Sequence, residues 1–319
     1  MQISFAPLEG ITGWLYRSVH HAMFPGLHTY YTPFWAPTAD SPLSGRGLAD
    51  VLPDHNQGVP LVPQLLTNRA EDFIAAAKAL QDLGYQEVNL NLGCPSGTVT
   101  AKRKGSGFLS LPEHLDQFFA EVFSGLDLRV SVKTRLGLHS PEEWPGLLEI
   151  FNRYPIAELT IHPRIRTDFY REALRMESFR YAVSHTDLPL CFNGDLTSPL
   201  QYHAFSQDFP AIQHVMIGRG LVANPALARE IQGGPPLTKE ELMEFHARLL
   251  EGYASVLSGD RPVLGKMKEL WFYWSHLFPA PEKPLKAMRK ARTLSDYTSA
   301  VQGLFRDQDL LPGAHFSPF

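Results

Sequence analysis

The stretch Glu87-Val88-Asn89-Leu90-Asn91-Leu92-Gly93-Cys94-Pro95 runs an apolar strand into a turn that presents two amides and a thiol. Gly93 permits a tight bend and Pro95 stops further pairing, so Cys94 is expected at the rim of a sheet. In parallel barrels the C-terminal strand ends carry the chemistry. A lone cysteine is more often apolar filler than a reagent, so the reading rests on what recurs elsewhere in the chain.

Short apolar runs recur at 3–5, 29–31, 61–65, 87–91, 129–133, 158–162, 190–193 and 214–217. Helical patterns lie between most of them, at 69–83, 112–123, 141–151 and 176–183. Strand-helix alternation on this scale predicts a closed parallel (β/α)8 TIM barrel, an α/β fold. The segment 31–59, rich in proline and glycine, reads as a long loop. After Gly233-Gly234-Pro235-Pro236 the strand signal ends, and helices are expected at 238–257, 263–276, 283–293 and 295–304. The expected organisation is therefore a barrel over 1–235 and a small all-helical domain over 236–319.

The bulk properties agree. A chain of 319 residues, 44% hydrophobic, exceeds one barrel of about 250 residues by one small domain. Cys94 and Cys191 sit in unrelated contexts and give no disulfide framework. With no signal pattern and no bilayer-length apolar run, a cytoplasmic, monomeric protein with no membrane partner and no metal is expected. The net charge of -4 argues against indiscriminate coating of nucleic acid, but basic residues cluster. The clusters are Lys102-Arg103-Lys104, then Arg164, Arg166, Arg171 and Arg175, then Lys283, Lys286, Arg289, Lys290 and Arg292. By itself such a run is a solvated helix face.

Polar residues end strand after strand: Gln64, Asn91 with Cys94, Lys133, His162, Asn193-Gly194-Asp195, and Gly218-Arg219-Gly220. Any one of them has a bland explanation as a satisfied core or turn residue. Together on one face they imply a ligand, because burying that many polar groups otherwise costs free energy. The last two loops occupy the place where barrels bind phosphate, with glycines that admit backbone N–H groups and the fork of Arg219. Lys133 would stabilise the anionic side of a reduced flavin, Gln64 would bond the ring edge, Ala6-Pro7-Leu8 would pack on its face, and His162 would hold cofactor or substrate.

In this order the residues resemble the dihydrouridine synthase family of FMN-dependent RNA-modifying enzymes. The matching segments are Ala6 to Thr12, Val62 to Leu65, Asn89 to Pro95, Gly105 to Leu109, Val132 to Gly137, Ile161 to Arg166, Phe192 to Asp195 and Met216 to Gly220. The resemblance implies a barrel followed by a helical domain, with transfer RNA bound between them. It implies that Cys94 is the general acid and that Asn91 is the uracil-site amide. Gln64, Lys133, His162, Asn193, Gly194, Asp195, Gly218 and Arg219 are implied to hold FMN. The implied reaction reduces the 5,6-double bond of uridine, with NADPH as the electron donor. RNA would bind through the basic clusters, above all Lys283, Lys286, Arg289 and Lys290, and Tyr170 and Arg171 fall where the family has substrate-side residues. Thr32-Pro33-Phe34 stands where many members carry a glutamate, and Pro163 replaces a common glycine. Three competing readings are a flavin barrel acting on a small molecule, a synthase acting on ribosomal RNA, and a non-enzymatic RNA-binding protein. Salt-dependent binding of transfer RNA and flavin absorbance discriminate among them.

Overall fold

Proline 63 divides what the sequence predicts as one strand. In the computed structural model, which describes residues 1–43 and 45–317, nine parallel strands form one sheet. They are β1 (Gln2–Phe5), β2 (Thr29–Tyr31), β3 (Leu61–Val62), β4 (Gln64–Leu65), β5 (Glu87–Leu92), β6 (Arg129–Arg135), β7 (Leu159–His162), β8 (Leu190–Phe192) and β9 (His214–Ile217). Their order is β3-β2-β1-β9-β8-β7-β6-β5-β4. The two terminal segments of that order are consecutive in sequence, so the sheet closes through Pro63. Proline has no N–H to give to a ladder. Its carbonyl still accepts from Asn89 N at 2.8 Å, which keeps the register across the break. The nine segments are thus the eight strand positions of a TIM barrel.

Two strands run further than their apolar pattern suggested. β5 continues to Leu92, paired with Thr134, and β6 continues to Arg135, paired with His162. Lys133 therefore lies within its strand rather than at its end, because Thr134 and Arg135 keep pairing with β7. The expected loop 31–59 is also not irregular throughout. It contains a helix, Gly45–Val51, and a 3-10 turn, Pro53–His55, which opens on a proline and so loses no N–H bond. Residue 44 of that loop and residues 318 and 319 of the expected helical domain lie outside the described residues.

The chain clusters into two units. The first comprises Met1–Pro7, Thr29–Gly194 and Ala211–Met216 and holds nearly all of the sheet. Its strands carry apolar side chains outward, Val88, Leu90 and Leu92 on β5 and Val130 and Val132 on β6, all buried. The alternate positions are polar. Asn89, Ser131 and Thr160 are buried, and Asn89 donates to Ser131 Oγ at 2.9 Å. A parallel strand covered by helices on one side and by a barrel lumen on the other shows this alternation only when the lumen is built to be polar.

The second unit comprises Leu8–His28, Asp195–Pro210 and Ile217–Phe319. Among its described residues beyond Gly234 there is no strand, and its helices are Lys239–Val256, Asp260–Trp274, Glu282–Lys290 and Leu294–Asp307. Thr238 caps the first of these, accepting from Glu241 N, while the Glu241 carboxylate accepts from Thr238 N. This reciprocal cap fixes the helix start at the expected residue. Phe245 packs edge-on against Tyr16, Phe24 and Trp274, and the indole of Trp274 donates to Val222 O at 2.9 Å. Among the described residues no helix is long and apolar enough to cross a membrane.

Candidate active site

Asn91 shapes the turn that carries Cys94. Its Oδ1 accepts from Gly93 N at 3.0 Å and Cys94 N at 2.9 Å, and its Nδ2 donates to Gln64 Oε1 at 2.8 Å. A side-chain amide folded back on the backbone two and three residues ahead is the mechanism by which asparagine makes turns. The turn is fastened from the other side by Ser106, whose N and Oγ donate to Cys94 O at 3.1 and 2.8 Å. Gly105 has φ +56°, and a Cβ there would stand 2.9 Å from that same oxygen. The strand, the asparagine and the glycine together hold Cys94 half-buried at the end of β5.

Gln64 is fully buried, and its amide is spoken for on both sides. Nε2 donates to Asn89 Oδ1 at 2.8 Å, and Oε1 accepts from Asn91. One N–H of Gln64 and one of Asn91 remain available to a ligand. Lys133 stands opposite Asn91 in the β5–β6 pair. Burial, then the charge of Arg135, brings its pKa down to about 8, with Cys191 and Cys94 pulling it back up. Among the described residues its ammonium has no hydrogen bond or ion pair. A desolvated cation without a partner is poised for an anionic ligand.

The loop after β7 is braced by its own arginines. Arg164 is only 2% exposed, so it cannot meet RNA as its cluster was expected to. Its sequence gives no sign of this, but its guanidinium turns inward to His162 Nε2 at 3.1 Å and Glu172 O at 2.6 Å. Because a guanidinium only donates, Nε2 of His162 accepts and Nδ1 carries the ring proton. Arg175 grips Asp168 with two parallel bonds of 3.0 and 3.1 Å, and Asp168 accepts from Ile165 N. Held in this way, Phe169 takes φ +48°, a conformation that costs an aromatic residue energy. It leaves Phe169 and Tyr170 exposed by 41% and 44%. Tyr170 stacks on His162 with centroids 5.9 Å apart, and Arg171 is exposed beside it.

Arg135 is the residue that sequence reasoning missed. It is 1% exposed, donates to Gly93 O at 2.9 Å and Ile165 O at 3.0 Å, and lies 5.2 Å from the centre of the Tyr170 ring. It ties the Cys94 turn to the loop carrying Tyr170. The signal was present in Arg129-x-Ser131-x-Lys133-x-Arg135, where every second residue is polar.

The remaining candidates divide between the units. In the first, Asn193 Nδ2 donates to Met216 O at 2.7 Å, and a Cβ on Gly194 would meet Leu174 at 2.9 Å. Ala6 belongs to a buried cluster with Tyr31, Cys191 and Met216, and Pro7 is half-buried. In the second, Leu8 N donates to Thr12 Oγ1, and Asp195 holds the guanidinium of Arg219 at 2.5 Å. Gly218 precedes the short helix Arg219–Ala223. Lys283, Lys286, Arg289 and Lys290 are exposed on the helix Glu282–Lys290, whose other face buries Leu285 and Met288.

A parallel barrel that carries a thiol and amides at its strand ends, and within β6 a buried cation with no ion pair among the described residues, defines a class of α/β-barrel enzymes. The family model for dihydrouridine synthase (Dus) matches residues 4–301, and the chain belongs to that family. It is 26% identical over 311 residues to tRNA-dihydrouridine synthase B of Proteus vulgaris, covering 94% of this chain and 93% of that one. It is 30% identical over 260 residues to a probable tRNA-dihydrouridine synthase of Staphylococcus epidermidis, covering 78% and 77%. Among solved structures it is similar in fold to morphinone reductase, with a TM-score of 0.52 at 14% identity over 74% of this chain and 86% of that one.

Proposed function

We propose that the protein is an FMN-dependent tRNA-dihydrouridine synthase that reduces the 5,6-double bond of a uridine in transfer RNA, with NADPH as reductant. The observation that carries this reading is the Asn91–Cys94 turn in a chain matched to the family over residues 4–301. The site tolerates the flavin on its own terms: Lys133 is a desolvated cation with no ion pair among the described residues. In the first unit Lys133, Gln64, His162, Asn193 and Gly194 would hold the cofactor, with Ala6 and Pro7 against the ring. For the second unit, taken by itself, the resemblance implies cofactor roles for Leu8, Gly218, Asp195 and Arg219, and Asp195 holds the guanidinium of Arg219. Bound and reduced, FMN supplies the hydride that C6 of the uracil receives.

The chain supplies the rest. Cys94 gives its proton to C5, on the face away from the hydride, so that one C–H bond forms at each carbon and the double bond is consumed. A thiol with an ordinary pKa near 8.5 is mostly protonated at neutral pH and still acidic enough for an enolate-like carbanion to take its proton. Asn91 holds the turn still and offers its remaining N–H to the base. Tyr170, Arg171 and the basic helix Glu282–Lys290 engage the RNA, from which the target base must be turned out of the stack. The helical region from residue 236 onward would act as the RNA-binding domain.

The test is to purify the protein, record its flavin spectrum with and without added FMN, and map dihydrouridine in RNA from a strain lacking this chain. Flavin absorbance and the loss of dihydrouridine at defined transfer RNA positions are expected. A protein that takes up no flavin, or a strain whose transfer RNA is unchanged, contradicts the proposal. Loss confined to ribosomal RNA would replace the substrate and keep the chemistry.

A further inference from the structure

The sulfur, nitrogen and oxygen donors of Cys191, His214 and Glu158 all lie within 4.8 Å of one another, inside the barrel and apart from Cys94. Glu158 directly precedes β7, and His214 opens β9 and pairs with Cys191 on β8. They therefore belong to the N-terminal half of the lumen, below the strand end that carries Cys94, with Lys133 near enough for its charge and that of Cys191 to act on each other. We propose that these three residues form a binding site for a divalent transition metal ion, zinc in the first instance, that the chain was not expected to carry.

The donor set is chemically suited to the ion. Thiolate, imidazole and carboxylate are the three side-chain ligands that zinc takes, and three protein ligands with an open fourth position make a complete site. The donors need only small movements. Around a tetrahedral zinc the ligand atoms stand about 3.2 to 3.8 Å apart, from bonds of about 2.0 to 2.3 Å. Glu158 and His214 Nδ1 now touch each other directly and would part to admit the ion, while Cys191 would close in.

Three further observations point to an occupant. Nε2 of His214 lies 2.6 Å from Ser4 Oγ, the outer hydrogen bond that orients a ligating histidine and fixes Nδ1 as the metal donor. The second carboxylate oxygen of Glu158 is buried with no hydrogen-bond partner among the described residues. Oγ1 of Thr160, fully buried opposite Cys191 in the β7–β8 pair, makes no well-formed hydrogen bond among the described residues and reaches only the weak partner that the Cys191 thiol offers. Buried polar atoms left unsatisfied are costly, and a cation with a bound water would satisfy both. Burial and the Glu158 charge push the Cys191 thiol well up, and a cation reverses that. On binding, the thiol proton leaves to solvent, the ring proton moves to Nε2 and is donated to Ser4, and three bonds to the metal form.

Cobalt(II) reports the site in the full-length protein after chelator treatment. One equivalent should give a near-ultraviolet thiolate-to-cobalt absorption and visible bands of a tetrahedral ion, displaced by one equivalent of zinc. Cys191→Ser should abolish the thiolate band and Cys94→Ser should leave it. Ser4→Ala should weaken the affinity by about 10–100-fold, as loss of an outer partner does. A wild-type protein that gains no thiolate band, or a band that survives Cys191→Ser and is lost in Cys94→Ser, overturns the proposal. Should Cys191→Ser not fold, X-ray absorption of zinc bound to Cys94→Ser decides. One sulfur at about 2.3 Å supports the site, and none refutes it.

Discussion

Lys133 shows how one side chain can be both a cost to the fold and a resource for the site. Its pKa of about 8 means that burial, reinforced by Arg135, already strains its charge. An anionic flavin would relieve that strain and raise the pKa, so the bound state holds more protons than the free one. Binding therefore weakens as pH rises above 8, by up to tenfold per pH unit until the bound-state pKa is reached. Apoprotein titrated with reduced FMN under anaerobic conditions between pH 7 and 10 is expected to show this fall, and Lys133→Met is expected to bind weakly with no pH dependence. A wild-type affinity that is flat across the range removes Lys133 from the cofactor site. Arg135 belongs to the same scale: its bonds to Gly93 O and Ile165 O place two loops at once.

At the scale of elements, the helices of the second unit are stapled by a buried relay. Trp271 Nε1 donates to Tyr297 Oη at 2.7 Å, and that hydroxyl donates onward to His246 Nε2 at 2.8 Å. Burial brings the pKa of His246 down to about 4 and that of His20 to about 3. The unfolded chain takes these protons first, near pH 6.5. The stability of the neutral rings is therefore fully present above 6.5 and is lost as pH falls through the folded pKa values. For His246 alone the loss is on the order of 3 kcal/mol. Urea midpoints of the wild type should fall between pH 6.5 and 4, and His246→Gln, which still accepts from Tyr297, should flatten the slope. A slope unchanged in that variant would place the acid sensitivity elsewhere.

The helix Glu282–Lys290 makes the complementary case for the surface. Arg289 and Lys290 in its last turn oppose the negative end of the helix dipole, and Lys268 Nζ donates to Ala291 O at 2.6 Å just beyond it. That accounts for two of its cations structurally. Lys283 and Lys286 lie away from that end and are exposed, Lys283 with the Asp307 carboxylate within reach of its charge. Lys283→Ala with Lys286→Ala should lower the salt slope of transfer RNA binding by about 0.7 to 0.9 per lost phosphate contact. An unchanged slope, with the helix intact by circular dichroism, would mean that RNA does not reach this face.

Across the whole molecule, the barrel was legible because each apolar run is short and followed by a helical pattern. Two features of its chemistry were not. The run 61–65 hid a break, since Pro63 forbids one ladder bond while its carbonyl preserves the register. The polar lumen went unread because only strand ends were weighed, although Asn89-x-Asn91, Ser131-x-Lys133-x-Arg135 and Glu158-x-Thr160-x-His162 display it at the strand period. Arg164 misled for the opposite reason. A charge looks solvent-facing in a sequence, and only tertiary structure reveals that it turns inward to His162. The Cys94 turn, by contrast, was written in local chemistry: Asn91 folds back on the backbone as its type predicts, although Gly93 keeps an ordinary φ with room for a Cβ.

The central claim is that Cys94 gives the proton at C5. Wild-type and Cys94→Ala proteins, reduced and kept free of oxygen, should be mixed with transfer RNA from the deletion strain. Dihydrouridine formed in a single turnover is then measured alongside flavin reoxidation. The wild type should form product stoichiometric with the flavin oxidised, and Cys94→Ala should bind the same amount of FMN yet form product at least a hundredfold more slowly, the scale of a lost general acid at about 10²–10⁴-fold. Product at the wild-type rate from Cys94→Ala would contradict the account.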